Sequence, residues 1–204
     1  MSDFNDQELP LMEEFYSLQG EGFYAGRPAY FIRLAGCDVG CHWCDVKESW
    51  DANKHTKVLV SELVQRVLNS GTRLVVITGG EPAMYDLTLL TESLRSAGTE
   101  IAIETSGAYS LKGHFDWVCL SPKKFKMPLE ENYKKAHELK MIIFNKHDLV
   151  WAEELKQKIN SSSKRYLQPE WDKRDEVLPI MLDYVKKNTE WTISLQTHKY
   201  LNIP

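Results

Sequence analysis

Short apolar runs alternate along this chain with longer segments whose apolar positions recur every three or four residues. Residues 29–34, 74–78, 101–105, 117–120, 140–144, 165–168 and 191–196 read as strands. The β-branched, nearly unbroken run at 74–78 has the character of a parallel strand buried on both faces. Helical patterns lie between these runs. Ser61 can cap a helix that carries Leu63, Val64, Val67 and Leu68 on one face, with Gly71 just past its end. Asp86 can cap a second, through Leu87, Leu90 and Leu94 to Gly98; Asp148 opens a third, through Leu149, Ala152, Leu155 and Ile159. A last periodic segment surrounds Pro179, which must kink that helix or delay its start.

This alternation predicts an α/β domain with a mainly parallel sheet. A complete eightfold barrel takes ~250 residues. With 204 residues and six or seven candidate strands, a partial, open (β/α) barrel of about six parallel strands fits better, as a single domain over 1–204. Such folds place function at the carboxyl ends of their strands. Four motifs fall there: the loop from Cys37 to Cys44, Gly79-Gly80-Glu81-Pro82, Glu104-Thr105-Ser106-Gly107 and Ser121-Pro122-Lys123.

Composition sets the class. A hydrophobic fraction of 43% and a charged fraction of 26% describe an ordinary globular chain. A formal charge of −4 argues against a nucleic-acid-binding face, which needs concentrated basic surface. The lysines from Lys123 to Lys140 are interleaved with Glu130, Glu131 and Glu138 and read as a solvated face. No segment has signal-peptide flanks or the length of a membrane span, so a cytoplasmic location away from membranes is expected.

Cysteine carries the chemistry. Cys37, Cys41 and Cys44, spaced Cys-x3-Cys-x2-Cys, offer three thiolates from one loop broken by Asp38, Gly40, His42 and Trp43. Soft thiolates select iron–sulfur clusters, zinc or copper(I). Three ligands leave one iron of a cubane open to a small molecule. Zinc with His42 or Cys119 as fourth ligand is the alternative. Cys119, inside a strand, otherwise reads as a buried inert thiol. Gly79-Gly80-Glu81-Pro82 suits an amino-acid-like ligand, through close backbone approach and one carboxylate.

The cysteine loop after one strand and Gly-Gly-Glu-Pro after the next resemble the radical S-adenosylmethionine enzymes. The match narrows with Phe15-Tyr16-Ser17-Leu18-Gln19-Gly20-Glu21-Gly22, Phe31-Ile32-Arg33-Leu34, Glu104 to Gly107, Ser121 to Lys123 and Gln196 to Pro204. From about Glu14 to Pro204 the chain is similar to the 7-carboxy-7-deazaguanine synthase family. That resemblance implies a partial barrel of the radical S-adenosylmethionine type. It also implies a [4Fe–4S] cluster on Cys37, Cys41 and Cys44, with S-adenosylmethionine on the open iron. Cleavage of the sulfonium would yield a 5′-deoxyadenosyl radical that abstracts a substrate hydrogen. The implied reaction is a lyase step from 6-carboxy-5,6,7,8-tetrahydropterin to 7-carboxy-7-deazaguanine with loss of ammonia, on the way to queuosine. A homodimer and a flavodoxin-like electron donor are implied partners.

Residue by residue, the resemblance places Leu18, Gln19, Gly20, Glu21, Arg33, Thr105, His198 and Pro204 on the pterin. Arg33 would pair with its carboxylate, and the tail from His198 to Pro204 would fold into the pocket. Trp43, Cys44, Asp45, Gly79, Gly80, Glu81, Glu104, Gly107, Ser121, Pro122, Lys123 and Gln168 would hold S-adenosylmethionine. One position departs from the family pattern. Val46 stands where a threonine usually helps to hold Mg2+, so magnesium is expected to be helpful without being strictly required. Two other readings stay open: an activase that places a glycyl radical on a large protein, and a non-catalytic metal-binding module.

Overall fold

A computed structural model describes residues 6–204. One nine-stranded sheet runs through it, in the order β3-β1-β2-β4-β5-β6-β7-β8-β9. β2 (Pro28–Leu34), β4 (Leu74–Gly79), β5 (Glu100–Thr105), β6 (Trp117–Leu120), β7 (Glu138–Ile143), β8 (Lys164–Pro169) and β9 (Thr192–Ile193) are joined by six parallel pairings. The sheet does not close. The partial, open barrel is therefore observed, with seven parallel strands where about six were expected.

Two strands escape the sequence pattern. β1 (Glu8–Leu18) and β3 (Thr56–Leu59) pair antiparallel at the β2 edge. β1 is long but charged, and its alternation is interrupted at a register shift between Leu11 and Glu13. Cross-strand partners absorb its carboxylates: Glu13 lies opposite Arg33, and Glu14 accepts from the Tyr30 hydroxyl at 2.9 Å.

Helices cover the convex face. α1 (Val60–Asn69) buries Leu63 and Val67, and α2 (Thr88–Ser96) buries Leu90 and Leu94, against Ile32, Leu34, Val75, Ile77, Ile101 and Ile103. Each fully buried leucine contributes ~1.5–3 kcal/mol relative to exposure. Asp86 does take the Thr88 N–H at 3.0 Å. Ser61 is not the cap of α1; the carboxylate of Asp6, 55 positions away, accepts both the Ser61 N–H and its hydroxyl. α4 (His147–Lys156) and α5 (Arg174–Lys187) cover β7 and β8 through Leu149, Ala152, Leu155, Val177 and Met181. α5 starts five residues before Pro179 and runs through it. A short α3 (Glu130–Lys135) lies inside the lysine-rich stretch.

The two-residue alternation of a strand fixes what faces inward. Ile101 and Ile103 face the helices, so Ala102, in register with Val76, and Glu104, which accepts from the Thr78 hydroxyl, face the concave side. In β7, Leu139, Met141 and Ile143 join the helical core. Glu138 and Lys140 therefore face inward, only 2% and 3% exposed. The charged residues are inside, which is why β7 begins two residues before the expected 140–144. It also overturns the solvated reading of this stretch at its last lysine. At the far edge only Thr192 and Ile193 pair with β8. The chain then turns back over the barrel mouth as α6 (Thr197–Leu201).

Candidate active site

The carboxyl ends of β2, β4, β5, β6 and β8 ring a cavity of about 250 Å3. Cys37, Cys41 and Cys44 form one side of it; Leu18, Gln19, Gly20, Glu21, Arg33, His198 and Pro204 stand around it as well. Trp43, Asp45, Val46, Gly79, Gly80, Glu81, Glu104, Thr105, Ser121, Lys123 and Gln168 line it too.

Gly107 and Pro122 lie outside this lining. Gly107 has φ +77, and its carbonyl accepts from the Asn132 amide at 2.8 Å and the Leu129 N–H at 2.9 Å. It turns the chain toward α3. Lining residues that had been given no site role include Thr78, Ser106, Lys140, Glu170, Trp171 and Gln196. Glu170 and Trp171 directly follow β8, so the strand-end rule would have found them. Lys140 gave no such signal.

The glycine pair also has a packing role that the sequence did not suggest. A Cβ on Gly79 would overlap the backbone of Leu34, and one on Gly80 would overlap the Gly36 carbonyl. The Gly80 N–H donates to Leu34 O at 2.9 Å and the Glu81 N–H to Gly36 O at 2.8 Å. Both glycines thus let the turn after β4 lie against the base of the cysteine loop. Glu81 is 1% exposed and accepts from the Ala83 N–H (3.0 Å), the Thr105 hydroxyl (2.6 Å), the Ser106 N–H (2.8 Å) and the Ser106 hydroxyl. A carboxylate has about four acceptor positions, so the protein itself saturates this one. Glu104 is the contrast. Its Oε1 accepts from the Gln19 amide at 3.0 Å, while Oε2 has only the Thr78 hydroxyl at 3.4 Å.

The three thiols fit a metal–sulfur group. Burial raises the thiol of Cys37 and pushes that of Cys41 up to about 11, against a smaller opposing effect of Lys123. A bound metal reverses this preference, because a coordinating thiol is deprotonated. Among the described residues no three Cys, His, Asp or Glu side chains converge on a single ion's position. A cubane is wider than an ion and keeps its ligating sulfurs apart. His42 is exposed, edge-on to Phe125 and Phe144, and Cys119 is buried in β6 away from the cavity. Neither of the fourth ligands considered for zinc reaches the loop's cavity face.

Cations flank both sides. The Lys123 ammonium donates to the Ser121 carbonyl and hydroxyl at 2.7 Å each and lies 5.6 Å from the Trp43 ring centre; burial lowers its pKa. Arg33 Nε donates to Glu13 Oε1 at 2.6 Å. The ion pair and the cavity position thus coexist at Arg33. Over the mouth, Lys199 pairs with Asp45 at 3.0 Å, tying the tail to the cysteine loop. Burial lowers the pKa of His198.

Comparisons with known proteins agree with this geometry. The Radical SAM superfamily model matches residues 31–139. The chain is 54% identical over 196 residues to a 7-carboxy-7-deazaguanine synthase of Flavobacterium psychrophilum, covering 96% of this chain and 93% of that one. Its likeness to the enzyme of that name from a Synechocystis species is 47% over 203 residues, covering 100% and 97%. A crystal structure of QueE from Escherichia coli superposes with a TM-score of 0.83 at 31% identity, covering 92% of this chain and 93% of that one. A radical-enzyme barrel, a three-cysteine loop facing its cavity, and identity along nearly the whole length lead to one conclusion: the chain belongs to the 7-carboxy-7-deazaguanine synthase family of the radical SAM superfamily.

Proposed function

We propose that this cavity converts 6-carboxy-5,6,7,8-tetrahydropterin into 7-carboxy-7-deazaguanine with release of ammonia. The observation that carries this reading is the meeting of three cysteines, Arg33, the Gln19-Gly20-Glu21 segment and the tail around one small cavity. Cys37, Cys41 and Cys44 would hold a [4Fe–4S] cluster. When bound, the cluster and S-adenosylmethionine supply the one-electron chemistry that starts hydrogen abstraction.

The chain's own residues bind, orient and exclude water. The guanidinium of Arg33 has donors beyond the Nε held by Glu13, and these suit the substrate carboxylate. With the Glu81 carboxylate saturated, the amino group of S-adenosylmethionine would rest on the backbone of Gly79 and Gly80, with Trp43, Asp45, Ser121, Lys123 and Gln168 around the rest. The tail would close over the pterin through His198 and Pro204. That closure suits a small molecule better than the loop of a large protein, which an activase would have to admit. Val46 offers no hydroxyl, so Mg2+ would be held through substrate oxygens and water, with a weakened requirement. A flavodoxin-like donor and a homodimer complete the proposal.

Anaerobic protein reconstituted with iron and sulfide, supplied with reductant, S-adenosylmethionine and carboxytetrahydropterin, should release a product with the mass of 7-carboxy-7-deazaguanine. Recovery of unchanged pterin under those conditions would overturn the assignment.

A further inference from the structure

The most deeply enclosed cation of the cavity is one that the sequence placed on a solvated face. The side chain of Lys140 is 4% exposed, contacts Glu21 Oε2 and lies 3.5 Å from Glu104 Oε1. Glu21 also accepts from the Gln196 amide at 2.9 Å, and Gln19 joins the two carboxylates, its amide donating to Glu104 while its oxygen accepts the Glu21 N–H at 3.0 Å. β5, β7, the segment after β1 and the tail thus meet at one ammonium.

We propose that Lys140 is a positioning residue for substrate: by bridging Glu21 and Glu104 it holds both as fixed carboxylates that accept the N–H edge of the pterin. The proposal rests on the pterin reading of the cavity. Two partly buried carboxylates without a cation between them would share a proton, because like charges at close range cannot both ionise. A protonated carboxyl loses acceptor capacity, and the unfilled Oε2 of Glu104 is the acceptor at stake. With Arg33 at the same cavity, the site then offers a cation for the substrate's carboxylate and anions for its amino-pyrimidine.

The surroundings support this polarity. Burial alone would raise Glu21; the ammonium and its hydrogen bonds outweigh that and bring it down to about 2. Lys140 also faces Glu138 on its own strand and Cys119 on β6, with Lys123 further along the cavity. Burial raises both Glu138 and Cys119, and Glu138 Oε2 is already taken by the Trp117 indole N–H at 2.9 Å and the Phe23 N–H at 3.0 Å. His198 on the tail feels both Glu21 and Glu104.

The test is equilibrium binding of 6-carboxypterin, an unreactive probe, to the holoenzyme from pH 6 to 8. The unaltered protein should bind with little pH dependence from these groups. Lys140→Gln should bind about tenfold more weakly at pH 6 and recover as pH rises and the carboxyls ionise. Lys140→Arg, which keeps the cation, should retain the flat profile. Should Lys140→Gln not fold, Lys140→Met takes its place and should show the same loss toward acid, whereas Glu21→Gln combined with Lys140→Met leaves a single carboxylate and should remove that pH dependence. A pH-independent affinity in folded Lys140→Gln or Lys140→Met, whether normal or uniformly weakened, would overturn the positioning role. Failure of the unaltered protein to bind the probe at all would instead count against the pterin reading.

Discussion

Thr197 donates twice to the carbonyl of Gly20, through its N–H and its hydroxyl, each at 3.0 Å. This pair locks the tail onto the segment after β1. It also leaves no space for a side chain, since a Cβ on Gly20 would overlap the His198 ring. Gly20→Ala should therefore displace His198, raise the KM for carboxytetrahydropterin about tenfold or more (~1.4 kcal/mol), and leave iron content intact. An unchanged KM would show that the tail's position is immaterial to binding.

Saturation of Glu81 makes a stability prediction. In Glu81→Gln one oxygen becomes an NH2 facing donors from either Ser106 or Ala83 and Thr105. The cost of leaving such a buried donor unpaired is ~1–3 kcal/mol. Urea unfolding should show it as a lower midpoint. Glu104→Gln, on the less filled carboxylate, should move the midpoint less and weaken pterin binding more.

Burial sets the pH behaviour of His198. Its folded pKa lies below the ordinary 6.5, because the enclosed ring resists charge. Above pH 6.5 the ring is neutral in both states and its contribution to stability is complete. As pH falls below 6.5 the unfolded chain takes the proton first, and stability is lost until the folded pKa is passed. NMR titration of the ring, assigned with His198→Ala, should give a midpoint under 6.5. A midpoint at or above that value would place the ring in open solvent.

Cysteine roles separate by iron analysis. Cys41→Ala should lose most bound iron, whereas Cys119→Ala should keep it and cost only the packing of a small buried side chain, on the order of 1 kcal/mol. Iron loss on replacing Cys119 would put that thiol in the cluster.

Val46 bears on magnesium. Turnover after chelation should persist at a reduced level, and Val46→Thr should increase the stimulation by added Mg2+. Complete loss after chelation, restored by Mg2+ alone, would contradict the weaker requirement.

The parallel half of the fold was legible because β2, β4, β5 and β6 combine apolar runs with turn chemistry at their ends. β1 was hidden by its carboxylates, whose partners Arg33, Tyr30 and Arg66 are remote in sequence. β7 was misplaced for a related reason. Charges inside an open barrel invert the rule that polar residues face water, and the partners that offset this, Glu21 and Glu104 for Lys140 and the Trp117 and Phe23 N–H groups for Glu138, are remote in sequence. At the site, local motifs were readable because each follows a strand. What Glu81 and the glycines contact was not, since it depends on how closely the β4 turn approaches the cysteine loop.

The central claim is that Cys37, Cys41 and Cys44 hold a cluster whose fourth iron is open to S-adenosylmethionine. Mössbauer spectroscopy of 57Fe-reconstituted, oxygen-free protein addresses it directly. The predicted result is a [4Fe–4S] signal in which one iron site, and only one, changes when S-adenosylmethionine is added. Four irons that stay unaltered by the addition, or a protein that retains zinc in place of iron, would contradict it.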